Sequence, residues 1–127
     1  MAQVVGIGGV FFKSGAGDTL REWYRRVLGF DITPWGGAYF PASMTAAVAG
    51  AGSVWSPFPA ETDYFAPSNR DFMINFVVDD LDAVLARCKE HGVEPLTLFP
   101  DEGLGRFAHI MDPDGMKVEL WEPSRSA

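Results

Sequence analysis

Leu20, Trp23, Tyr24, Val27 and Leu28 fall at i, i+3, i+4, i+7 and i+8, a single apolar stripe that predicts a helix. Thr19 with Glu22 three residues on fits a capping box, and Gly29 fits the position just past the last turn. Ahead of the stripe, Val4 to Lys13 is apolar and broken by glycines, the pattern of a strand approached closely by other backbone. Behind it, Phe30 to Pro34, Gly37 to Phe40 and Ser53 to Phe58 read as three short strands, with a glycine- and alanine-rich stretch from Ala46 to Gly52 between the last two.

The second half repeats that order. Phe72 to Val78 predicts a strand, and Asp79 or Asp80 caps a helix whose stripe is Leu81, Val84, Leu85 and Cys88, ending at His91 and Gly92. The two stripes superpose at a constant offset of 61 residues, Leu20 on Leu81 and Val27 on Cys88. Val93 to Phe99, Gly105 to Met111 and Met116 to Trp121 then predict three more strands. The expectation is an α+β fold: two βαβββ modules, about 1–60 and 70–127, joined by a linker at about 61–69 in one domain spanning 1–127. Together they would form an eight-stranded, cleft-shaped mixed sheet with the helices on its outer face.

Asp112-Pro113-Asp114-Gly115 is the strongest local signal. Proline suits the first central position of a type I turn, and Gly115 suits the positive φ of the bulge that follows, which makes a three-residue hairpin loop. In that register His109 lies opposite Glu119, Phe107 opposite Trp121 and Met111 opposite Lys117. Ala108, Ile110, Val118 and Leu120 occupy the other face, which should carry the helices. The mixed face is the informative one, because a solvated surface rarely gathers two aromatics with His109, Glu119 and Lys117. Along Phe72 to Val78 the same split puts Met73, Asn75 and Val77 toward the cleft.

Composition adds limits. Hydrophobic residues are 47% and charged residues 21% of 127, as in ordinary globular domains. Fourteen glycines and nine prolines exceed the usual combined share of about 12%, which suits short strands and many turns. The net charge of −7 argues against a nucleic-acid partner. Cys88, the one cysteine, removes internal disulfides and cysteine-rich zinc sites. The first residues lack a basic leader, and no apolar run is long enough to span a bilayer, so the expectation is a cytoplasmic protein with no membrane partner.

Trp23-Tyr24, Leu28-Gly29-Phe30, Asn75 through Ala83, and Gly105-Arg106-Phe107 through Asp112-Pro113-Asp114-Gly115 to Val118-Glu119-Leu120 together resemble the vicinal oxygen chelate superfamily. That group holds glyoxalases such as lactoylglutathione lyase, extradiol dioxygenases, epimerases, and bleomycin and fosfomycin resistance proteins. The resemblance implies a cleft and, in many members, a divalent metal on His and Glu ligands. Carried over residue by residue, the two usual His positions fall on Gly9 and Met73, and only the final-strand Glu matches, as Glu119. A catalytic metal wants about three protein ligands, so this set is incomplete.

Glu119 and His109 are the candidate catalytic pair, with Glu119 the single candidate metal ligand. His109 lies where ring-cleaving relatives carry an active-site Tyr. Met73, Asn75, Phe107, Lys117, Trp121 and Trp55 are the candidate ligand-binding residues, and an aromatic group of Trp35, Tyr39, Trp55, Phe58, Tyr64 and Phe65 suits a flat ligand. His91 and Cys88 read as structural, and Arg106 as an edge residue or an anion clamp. Three functions stay open: a metal-independent small-molecule binding protein, a metal-assisted lyase, epimerase or dioxygenase using Glu119 and His109, and an interaction module with a vestigial cleft. A homodimer is expected in each case.

Overall fold

A computed structural model describes residues 2–124. In chain order it contains α1 (Gly17–Leu28), α2 (Ala42–Ala46), β1 (Ile74–Val77), α3 (Leu81–Glu90), β2 (Thr97–Phe99), β3 (Gly105–Met111) and β4 (Lys117–Pro123). The strands form one mixed sheet in the order β1-β4-β3-β2. β1 runs parallel to β4, and the other two pairings are antiparallel.

The β3–β4 hairpin follows the register its turn dictates: Phe107 faces Trp121, His109 faces Glu119 and Met111 faces Lys117. Gly115 has φ +78°, the Gly115 amide donates to Asp112 O, and the Asp112 amide donates to Met116 O. Asp112 Oδ1 accepts from the Asp114 and Met116 amides, so the aspartate side chain stabilises its own turn. The far side of Asp112 holds the first helix, because Tyr24 Oη donates to Asp112 Oδ2 at 2.7 Å in the buried interior.

The aliphatic face of this hairpin is the core. Ala108, Ile110, Val118 and Leu120 are buried against Leu20, Trp23, Tyr24 and Val27 of α1 and Leu81 and Cys88 of α3. Both helices end as their glycines predict, with positive φ at Gly29 and Gly92. α3 starts at Asp80, whose side chain accepts from the Ala83 amide. α1 differs: it begins at Gly17 after Ala16 with no side-chain cap, so the expected capping box at Thr19 and Glu22 does not form. Glu22 pairs with Arg25 on the exposed face.

The eight-stranded sheet is corrected. Among the described residues the sheet has four strands, all from the second half. Val4 to Lys13, Phe30 to Pro34, Gly37 to Phe40 and Ser53 to Phe58 are not strands, and between them residues 42–46, for which no element is expected, form a short helix. Thr33 and Gly37 share the bonds of one turn rather than a ladder. Short glycine-rich segments lose much entropy on ordering and gain it back only from a paired neighbour. Without one, their apolar side chains stay open: Phe11 is 94% and Trp55 82% exposed.

Two second-half strands are shorter than their patterns. β1 covers only Ile74–Val77 of the expected Phe72 to Val78. β2 covers only Thr97–Phe99 of the expected Val93 to Phe99, because Pro95 has no amide hydrogen to give a ladder.

Candidate functional site

The opposite face of the sheet gathers the polar residues. Hairpin register sets His109 across from Glu119, and the parallel pairing of β1 with β4 sets Asn75 beside the same glutamate. His109 Nε2 lies 2.8 Å from Glu119 Oε2, and Asn75 Nδ2 donates to Glu119 Oε1 at 2.8 Å. The third partner comes from outside the sheet. Tyr64, in the segment between the halves, donates its hydroxyl to Glu119 Oε2 at 2.6 Å, and the same hydroxyl lies 3.3 Å from His109 Nε2.

Burial by itself would raise the Glu119 carboxyl, but the hydrogen bonds from His109, Tyr64 and Asn75 together outweigh it and hold its pKa below the ordinary value. Tyr64 moves the other way, because burial and the adjoining carboxylate both disfavour a phenolate. The hydroxyl therefore stays protonated and donates. An ionised Glu119 offers only acceptors, so His109 Nε2 carries a proton toward it. His109 Nδ1 is buried with no hydrogen-bond partner among the described residues. The imidazole sits between the edges of Phe99 and Tyr64, with ring centres 5.0 and 5.2 Å away.

A cavity of about 420 Å³ opens beside this cluster, lined by Tyr64, Phe99, Pro100, Glu102, Leu104, Gly105, Phe107 and Glu119. Phe107 stacks nearly parallel on Trp121, at 4° and 6.0 Å between ring centres, and Trp121 Nε1 donates to Leu104 O, which secures the cavity's outer loop. The lining holds two carboxylates and no basic side chain. Such a wall accepts hydrogen-bond donors and flat apolar surface, and repels anions.

Of the expected site residues, the structure brings together His109, Glu119, Asn75, Phe107 and Trp121. It places Lys117 elsewhere: the ammonium is buried under residues 64–66 and donates to Tyr64 O and Ala66 O at 2.6 and 2.9 Å, so it grips backbone instead of facing the cavity. Met73 and Trp55 do not line the cavity, and Trp55 lies on the exposed first half. Arg106 is paired with Asp82 at 2.7 Å, and Cys88 is fully buried in the core. Sequence reasoning placed Tyr64 only within an aromatic group. Its specific role depends on a chain crossing that no local pattern encodes.

The metal set that the family resemblance implies does not fit these residues. Gly9 and Met73 bring no His to the cleft, both Glu119 oxygens already accept protein donors, and no group of three or more His, Cys, Asp or Glu is placed to hold an ion among the described residues. Among the described residues no helix is long and apolar enough to cross a membrane.

Residues 15–120 match the family model for the Glyoxalase/Bleomycin resistance protein/Dioxygenase superfamily. A comparison with curated proteins found no match. Among solved structures, the chain is similar to TnmS3, an antibiotic binding protein from Streptomyces sp. CB03234, at 24% identity over 98% of both chains with TM-score 0.53. It is also similar to a putative glyoxalase family protein from Bacillus anthracis, at 17% identity over 98% of this chain and 100% of that one, TM-score 0.56. Over a shorter stretch, 41% of this chain and 47% of the other, it is 35% identical to a glyoxalase / bleomycin resistance protein from Catenulispora acidiphila, TM-score 0.37. The family match, spanning all three helices and most of the sheet, makes this chain a member of the Glyoxalase/Bleomycin resistance protein/Dioxygenase superfamily.

Proposed function

We propose that the chain binds a small oxygenated or aromatic molecule in the cleft, without the divalent metal common in its superfamily. The carrying observation is the cavity itself: aromatic walls from Phe99, Phe107 and Tyr64 meeting a hydrogen-bonded carboxylate, Glu119. That pairing of flat apolar surface with one oriented polar group is what small-molecule sites are built from. The fold likeness to TnmS3, an antibiotic binding protein, agrees with this reading.

The test is a thermal-shift and tryptophan-fluorescence screen of planar aromatic and hydroxylated compounds, with and without added manganese, zinc and iron. Hits that bind equally with and without metal, and that weaken about tenfold or more in Phe107→Ala, support the reading. Hits that require metal overturn it.

The 2.8 Å contact of His109 with Glu119 favours a second reading, an enzyme of the lyase, epimerase or dioxygenase kind with His109 as acid or base. Turnover of a hemithioacetal, an acyl-CoA epimer or a catechol, abolished in His109→Ala, would establish it. In either reading the two halves make one domain, with residues 61–69 linking them. A homodimer accounts for the apolar side chains left open on the first half, since a second copy would cover them; light scattering on the eluting protein measures the mass.

A further inference from the structure

The segment from Phe58 to Arg70 crosses the cleft face as a strap. Ser68 Oγ donates to Gly115 O at 2.6 Å, and an Arg70 guanidinium nitrogen donates to Asp114 O at 3.0 Å, which ties one end to the β3–β4 turn. Lys117 holds the middle through its two backbone acceptors and lies 5.4 Å from the Tyr64 ring centre. Phe58 stacks on Tyr64 from outside, ring centres 5.4 Å apart. These contacts hold the segment that carries Tyr64, whose hydroxyl meets His109 and Glu119.

Tyr64 thus occupies the site as a ligand would. Its ring packs edge-on against the imidazole, and its hydroxyl supplies a donor to the carboxylate.

We propose that Tyr64 is a displaceable internal occupant, that the ligand replacing it is a planar ring bearing an O–H or N–H donor for Glu119, and that Lys117 is the positioning residue setting how readily Tyr64 leaves. This rests on the cleft-binding reading above. An anionic ring is disfavoured, because Glu102 and Glu119 line the cavity and no basic side chain does. Once Tyr64 has moved, a ring without a donor leaves Glu119 with His109 and Asn75 alone, one donor short of its present three.

Three probes of one shape separate the possibilities: 7-hydroxycoumarin kept protonated in mildly acidic buffer, 7-methoxycoumarin, which lacks the donor, and 7-hydroxycoumarin-3-carboxylate, which adds an anion. Affinity is read by fluorescence polarisation. The tyrosine is read by fluorine NMR of protein labelled with 3-fluorotyrosine, whose three tyrosines are assigned by single Phe variants. The expected result is that the hydroxy probe binds about tenfold tighter than the methoxy and carboxylate probes. On binding, the Tyr64 resonance alone moves to a solvent-exposed position.

Tyr64→Phe and Lys117→Met should each tighten the hydroxy probe by about three- to tenfold, since the internal competitor is weakened. Lys117→Met should also shift the Tyr64 resonance before any probe is added. A purely structural Lys117 would move that resonance and leave the affinity alone, which overturns its assigned role. Equal binding of the hydroxy and methoxy probes, or a Tyr64 resonance unmoved by saturating probe, overturns the displacement itself while leaving cleft binding intact. No binding of any probe to wild type or variants removes the cleft reading together with this one. Tyr64→Phe keeps the ring and carries the test even where Lys117→Met fails to fold.

Discussion

Tyr64 Oη donates a 2.6 Å hydrogen bond to Glu119 Oε2 across 55 residues of chain, and the strap, the sheet and the cavity meet at that bond. Glu119 is the hub: Tyr64, His109 and Asn75 all converge on one carboxylate. A charge so placed is stable only while its donors remain, which makes it sensitive to pH.

The folded pKa of Glu119 lies below its ordinary value of about 4.5, so its contribution to stability is complete at neutral pH and is lost as pH falls through the folded value. Glu119→Gln should therefore lower stability by about 1.5–3 kcal/mol at pH 7, with the gap to wild type closing as pH falls through the folded value. Urea unfolding of both proteins across that range measures it. A gap that stays constant with pH would show that the carboxylate charge is not involved.

Tyr24 titrates in the opposite sense. Burial, reinforced by Asp112, raises its hydroxyl above the ordinary 10.0, so the bond to Asp112 is fully present below pH 10 and fails as pH rises through the folded value. Tyr24→Phe should cost about 1.5–3 kcal/mol at neutral pH, because Asp112 Oδ2 loses its buried donor. Wild type should lose that advantage in strongly alkaline buffer, as guanidinium titrations of the two proteins would show.

Gly105→Ala should be among the most damaging single changes. The backbone there has φ +119°, and an added Cβ would lie 2.2 Å from Glu122 O and 2.8 Å from Pro123 Cα across the ladder. Strain and overlap together cost at least about 3 kcal/mol. The readout is the melting temperature.

Cys88 should resist modification. It is fully buried in the core, and burial holds its thiol above the ordinary range. Ellman's reagent should react with none of it in native protein and with all of it in denaturant. Reaction at native conditions as fast as free cysteine would place α3 outside the core.

The local half of the fold was legible because local rules govern it. Asp112-Pro113-Asp114-Gly115 determined the hairpin, the hairpin determined the register, and the register paired His109 with Glu119 and Phe107 with Trp121. The i, i+3, i+4 stripes named α1 and α3 and their buried faces, while the short α2 carried no such stripe. The first-half strands were misread from the same kind of evidence. A strand pattern states what a segment can do when a neighbour pairs with it, and for Val4 to Lys13 no neighbour is in place.

The sequence by itself determined the core, the turn, the pairing of the two candidate polar residues and the absence of His at Gly9 and Met73. Only the tertiary structure decided that Tyr64 caps Glu119 and that Lys117 grips the strap rather than a ligand. The physical reason is range. Helix stripes and hairpin turns are set by neighbours a few residues apart, whereas the path of a connecting segment over a sheet is set by which distant donors and acceptors it leaves satisfied.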